Sequence, residues 1–169
     1  MTRTSVRRLR RLLLAVHLTA SVGWVGAVLA YLPLSVTAGR SAEPETIRAM
    51  WVAMDLLGWS VLVPLALAAF VSGVVLALAS PWGLFRYWWV VVSLGATFAL
   101  GLVLVLHMPE VSASAARART AAPAELRALD GDTVHAGVGL ALLLAVLGLN
   151  VVKPRGLTRY GWRRQQVAR

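Results

Sequence analysis

The sequence predicts an all-α integral membrane protein, an antiparallel four-helix bundle with both termini in the cytoplasm. Three observations predict it. First, 59% of the 169 residues are hydrophobic and only 14% are charged, with a mean hydropathy of +0.72. A soluble domain averages about 45–50% apolar and about 25% charged residues. Second, four segments supply the ~20 apolar residues that a helix needs to cross a bilayer. Third, the basic residues are unevenly placed. The N-terminal tail (Arg3, Arg7, Arg8, Arg10, Arg11), the short connection at Arg86 and the C-terminal tail (Lys153, Arg155, Arg159, Arg163, Arg164, Arg169) carry twelve basic residues and no acidic one. Residues 35–55 and 109–133 hold the other five basic residues and all seven acidic ones. Arg and Lys concentrate on the cytoplasmic side, so the tails and the Arg86 connection are placed there, in a bacterial plasma membrane. This distribution explains the net charge of +10 as a topology signal and an anionic-lipid contact, and argues against nucleic-acid binding.

The first span is Leu12–Leu34. Its basic start and small-residue ending also resemble a signal peptide covering residues 1–30. The apolar run is longer than the usual ~7–15 residues of such a segment, and it contains His17, Ser21 and Trp24, so a retained helix is expected. The second span covers about 50–79. Its helix is expected to start at Pro44, because proline suits a first turn and Glu43 and Glu45 favour the positive helix end. It then runs about two turns beyond the bilayer, and Pro64 should kink it. The third span, Tyr87–Met108, and the fourth, Val134–Val152, complete the bundle. The basic tails are residues 1–11 and 153–169, and the whole chain reads as one domain. "PAELRALDGD" (Pro123–Asp132) suggests a short amphipathic helix. Trp82, Tyr87, Trp88, Trp89, Tyr160 and Trp162 fit an inner aromatic belt, and Tyr31 and Trp51 an outer one. Small residues recur at helical spacing, as Gly23/Ala27, Gly26/Ala30, Gly95/Ala99 and Gly137/Ala141/Ala145. Such pairs let helices approach closely, within a bundle or in a homodimer.

The chain has no cysteine, which excludes disulfides, thiolate metal sites, iron–sulfur clusters and a cysteine nucleophile. No phosphate-cradling glycine loop and no Ser–His–Asp order is readable, so a catalytic assignment is left open. Chemistry concentrates in the histidines. All three lie in or at the edge of a span, where ionisable groups are costly and a functional reading is the default. With ~1.5 Å rise per residue, His107 falls roughly 15 Å and His135 roughly 12 Å outward of mid-membrane, and His17 roughly 10 Å inward. Two imidazoles at one depth on consecutive helices suit the axial ligands of haem b. Gly139, one turn beyond His135, leaves space for a flat ring. The same pair with Asp55 or Glu110 suits a divalent metal, as two histidines and a carboxylate do. Alternatively both histidines sit hydrated at headgroup level and bind nothing. His17 would mark a second, inner site for another haem, a quinone or proton transfer, or would be satisfied structurally by Asn150 at similar depth.

The leading expectation is a haem b membrane protein in electron transfer or haem-dependent oxidoreduction, with the lipid bilayer and a membrane redox partner around it. The second is a metal or small-solute transporter or metal-handling protein with Asp55, His107 and His135 as its site. The third is a non-catalytic membrane subunit or assembly factor.

His17, Trp24 and Gly26 form H-x6-W-x-G, followed by Tyr31–Pro33. This first helix resembles those of copper-resistance D-type membrane proteins and of HemJ-type protoporphyrinogen oxidases, small membrane proteins that bind haem b. The resemblance covers about one helix and implies His17 as a haem or metal ligand. Absence of cysteine and of a Met-rich cluster speaks against a copper(I) pathway, because soft ligands select that ion. Most of the chain is similar to an uncharacterised family of four-span bacterial integral membrane proteins, through "LLGW" and "PLAL" in the second span, "PWGLFRYWWV" (Pro81–Val90), "VHAG" (Val134–Gly137) and "KPRGLTRYG" (Lys153–Gly161).

Overall fold

A computed structural model describes residues 3–80 and 82–167. Pro81 and Arg169, named above, lie outside the described residues, as do Met1, Thr2 and Ala168. The described chain is helical from end to end: α1 (Arg3–Arg40), α2 (Pro44–Leu57), a π-helical turn (Gly58–Leu62), α3 (Val63–Leu78), α4 (Trp88–Thr120), α5 (Pro123–Leu126), α6 (Thr133–Val152) and α7 (Arg159–Val167). Four helical stretches are long and apolar enough to cross a membrane: Arg7–Arg40, Pro44–Leu78, Trp88–Thr120 and Thr133–Val152. Length and composition make the chain a multi-pass membrane protein.

Helix α1 packs against α2, α3 and α6, and α4 packs against the same three helices. The core between them combines Trp24, Ala27, Val28 and Tyr31 of α1 with Ile47, Trp51 and Met54 of α2, Leu62, Val63 and Ala66 around the π turn, and Met108 and Val111 of α4. Large apolar side chains on the outer faces, such as Val22, Leu67, Val103 and Val138, are exposed. That inversion is the one expected of helices whose surroundings are hydrocarbon rather than water.

Helix α2 begins at Pro44, as expected from its first-turn chemistry, with Pro at the helix start and Glu45 in the first turn. The second span then departs from regular α geometry at Gly58–Leu62, directly before Pro64. Proline lacks the N–H that the α ladder requires, and a π turn is one of the few ways to pass that gap without breaking the helix. At Gly58 the Met108 side chain lies where a Cβ would stand. Glycine here lets α4 come close to the distorted turn.

Residues 109–120, expected in a connecting loop, continue α4 through Pro109. The physical reason is a second apolar seam. Val111, Ala115 and Ala118 recur at helical spacing and are almost fully buried, and α2 is among the partners of α4. The extension also gains a polar anchor, because Arg48 of α2 donates hydrogen bonds to the terminal carbonyls of α4 at Ala118, Arg119 and Ala121. A cation there complements the helix dipole. Only Pro123–Leu126 of the expected "PAELRALDGD" helix forms.

At the opposite end the C-terminal tail docks on the connection between α3 and α4. Trp88 N donates to Gly156 O at 3.0 Å, and Thr158 N donates to Arg86 O at 3.1 Å. The Thr158 hydroxyl accepts from Gly161 N at 3.1 Å, closing the first turn of α7. Trp82 meets Tyr87 and Trp89 edge-on, at centroid distances of 5.1 and 5.5 Å.

Candidate metal centre

Two helices and a loop converge where α4, α6 and the last turns of α1 meet. Asp132 takes the N-cap position of α6 yet makes no capping hydrogen bond with its side chain. Its carboxylate turns instead into the bundle, where its side chain is only 7% exposed. There it is fully engaged. Oδ1 lies 3.0 Å from His107 Nε2 and 3.1 Å from His135 Nδ1, and Oδ2 accepts from the Tyr31 hydroxyl at 2.9 Å. A nearly buried carboxylate requires this degree of satisfaction.

The close approach of the α5–α6 loop to α1 holds Asp132 in place. A Cβ on Gly131 would overlap the Ser35 carbonyl, and a Cβ on Gly39 would lie 2.8 Å from Gly131 N. Ser35 Oγ and Thr133 Oγ1 share a hydrogen bond of 3.2 Å across the same contact, and the Arg127 Nε donates to Ala42 O at 3.3 Å. Gly39 and Gly131 thus let the backbone of α1 touch the backbone just before the acid.

The His107 and His135 rings stack with centroids 4.0 Å apart and planes 24° from parallel. His107 reaches Asp132 through Nε2, while its Nδ1 lies 3.4 Å from Glu110 Oε2 one turn along α4. One donor atom from each of His107, Asp132 and His135 falls within 4.8 Å of the others. A tetrahedral zinc with ligand bonds of about 2.0–2.2 Å separates its ligating atoms by ~3.3 Å. The two observed N···O distances, 3.0 and 3.1 Å, are a few tenths shorter. Two of these donors have further partners. Glu110 backs the far nitrogen of His107, and the Tyr31 hydroxyl backs the far oxygen of Asp132, the arrangement that orients metal ligands and raises their basicity.

The same geometry bears on haem. Two axial imidazoles approach iron from opposite faces of the macrocycle. Here the rings lie face to face at contact distance, and their inner nitrogens converge on one carboxylate oxygen. No space for a porphyrin lies between the two rings as they stand.

Histidines 107 and 135, expected to share a depth, are brought together. The carboxylate beside them is Asp132. Asp55, expected there, accepts a hydrogen bond from Ser112 Oγ at 2.6 Å, and Ser112 also accepts from Trp59 Nε1 at 3.0 Å. Glu110 stands behind His107 rather than beside His135. His17 is apart from all of these, fourteen residues before Tyr31 on α1 and hence about 21 Å along the helix. Its Nδ1 lies 3.1 Å from both Ala69 O and Ser72 Oγ. Gly73 leaves room for the ring, since a Cβ there would come within 3.1 Å of His17 Cε1. The expected Asn150 partner is otherwise engaged, donating to Val146 O of its own helix at 2.8 Å. The neighbour of α1 at that level is α3, which supplies a serine and a carbonyl.

Sequence reasoning missed Asp132 and Tyr31. Asp132 read as the last residue of a short amphipathic helix, and Tyr31 as part of an aromatic belt. One signal was available, the D-x-x-H spacing of Asp132 and His135, which puts both on one face of a first helical turn.

Beside the cluster lies an apolar cleft of about 360 Å³. It is bounded by α1, α4 and α6, with Leu62 of the π turn at its base. His107, Asp132, His135 and Tyr31 form its polar end.

No protein-family model, curated protein or solved structure matches the chain.

Proposed function

We propose that this chain is a metal-handling membrane protein that holds a divalent cation, zinc as the first candidate, on His107, Asp132 and His135. The observation that carries this reading is the convergence of one imidazole nitrogen from α4 with an imidazole nitrogen and a carboxylate oxygen from the start of α6, with outer partners behind His107 and Asp132. Nitrogen and oxygen donors of this kind suit zinc and other first-row divalent metals. Three protein ligands would leave a fourth position of a tetrahedral ion open, and all three residues line the apolar cleft.

The topology proposed with it is antiparallel, with both termini in the cytoplasm of a bacterial cell and the metal centre on the outer side of the plasma membrane. Contacts between spans support alternating directions. His17 pairs with Ser72 whereas Gly23, further along α1, faces the earlier residue Leu65. The C-terminal tail and the Arg86 connection share one end, consistent with their shared basic character. Participation of Trp24, Ala27 and Val28 in the core supports a retained first helix over a cleaved signal peptide.

The test is metal analysis of protein produced in zinc-replete medium, followed by chelator competition. Stoichiometric zinc is expected, lost in His107→Ala, Asp132→Ala and His135→Ala. Zinc that is absent, or that persists in all three variants, overturns the reading. A Soret band in protein made with ample haem would instead restore the haem alternative.

A further inference from the structure

We infer that the cleft beside the metal centre binds the chain of a membrane amphiphile, with an oxygen-bearing head directed at the His107–Asp132–His135 group. This deepens the metal reading above and takes the open coordination position from it. Three features support the occupant. The walls are apolar: Trp24, Val28 and Leu62 form an inner surface that is almost entirely buried. The rim is lipid-facing, with Val103, Val138 and Leu142 lining the cleft while exposed by 57%, 54% and 48%. A cleft bordered in this way opens sideways to acyl chains, so its occupant arrives from the bilayer. Finally, every charged group on the lining lies at one end, where His107, Asp132 and His135 meet beside the Tyr31 hydroxyl. The shape is that of a long apolar body with a single polar terminus, which is the shape of an amphiphile.

The dimensions agree. From His135 to Leu143 the cleft follows α6 for about 12 Å, and its volume is at the lower end of the ~300–1,000 Å³ typical of ligand sites. It suits one chain rather than a diacyl lipid. Gly139 lines the cleft, and a Cβ built there meets nothing within 4 Å. The glycine is therefore not required for helix packing. Its missing side chain leaves open the part of the cleft one turn below His135.

The experiment uses the full chain in lipid nanodiscs loaded with Co(II), whose visible bands report ligation. Octanohydroxamate and acetohydroxamate, which share a chelating head and differ in tail, are titrated into the wild type and into Gly139→Phe, with Leu142→Trp as a second cleft-filling variant. The wild type should prefer the long-chain probe more strongly than either variant does, by about tenfold or more from buried methylenes, while all retain Co(II). Partitioning into the bilayer is common to all samples and cancels in this comparison. A second arm labels metal-free protein with a diazirine fatty acid and maps the products by mass spectrometry. Labels should concentrate on residues lining the cleft and disappear in Gly139→Phe. Normal Co(II) binding with the same chain-length preference in wild type and variants overturns the amphiphile inference and leaves the metal reading standing. Absent Co(II) binding with cleft-centred labelling does the reverse. Dispersed labelling together with absent Co(II) binding removes both.

Discussion

His107 on α4 and His135 on α6 stack ring on ring, with centroids 4.0 Å apart. They are separated by 28 positions in the chain, which hold the rest of α4 and the short helix α5 between two non-helical segments. Their inner nitrogens converge on one oxygen of Asp132. That convergence turns two histidines at the edges of membrane spans into a donor set, and the first predictions concern it.

Asp132 and Asp55 should separate cleanly. Asp132→Ala removes a ligand and should weaken zinc by more than the about 10–100-fold typical of losing an outer partner. Asp55→Ala breaks the hydrogen bond from Ser112, removes no proposed ligand, and should leave zinc affinity unchanged. Chelator competition on the two variants measures both. Equal losses would mean that the donor set is misassigned.

The outer partners should matter less, but measurably. Tyr31→Phe deletes the hydroxyl that donates to Asp132 at 2.9 Å, and Glu110→Gln removes the charge behind His107. Each should lower zinc affinity by about 10–100-fold. The far-UV circular dichroism of both variants should match the wild type, since neither change touches the backbone.

Acid should release the metal. Zinc needs a lone pair on each ligating imidazole nitrogen, and protons compete for those positions. Affinity should therefore fall as the pH is lowered. Isothermal titration in buffers of different ionisation enthalpy should detect proton release on zinc binding. Binding without pH dependence would point to carboxylates alone.

Gly131→Ala should damage both fold and site. Its Cβ would overlap the Ser35 carbonyl, and backbone yields less readily than a flexible side chain. A cost of about 1–3 kcal/mol is expected from overpacking of this kind. Asp132 is the next residue, so zinc affinity should fall as well. Thermal unfolding in detergent and chelator competition test the two halves.

His17→Phe should leave zinc binding intact and cost little stability. The lost hydrogen bonds run to Ala69 O and Ser72, and polar contacts between membrane helices average ~0.6 kcal/mol, with an upper range near 1.7. Loss of zinc in this variant would show that the inner histidine is coupled to the centre.

Each part of this structure was legible in the sequence to the degree that its cause was local. The four apolar segments were readable because a bilayer demands about 20 apolar residues in a row, and the start at Pro44 because first-turn chemistry lies within a few residues. The shared depth of His107 and His135 followed from counting helical rise. The length of α4 was not legible. Ala- and Arg-rich residues after Pro109 look like a loop until α2 is present to bury Val111, Ala115 and Ala118. His17's partner was also hidden, since helix adjacency decides whether Ser72 or Asn150 stands beside it, and depth alone permits both. The choice of Asp132 over Asp55 depended on a loop pressed against α1 through Gly39 and Gly131, a contact between residues nearly a hundred positions apart. Sequence by itself determined how many membrane-length helical stretches the chain builds and which side chains are costly to bury. Only the tertiary structure decided which of those side chains meet, because meeting depends on rotation and adjacency of helices, set by packing across the whole bundle.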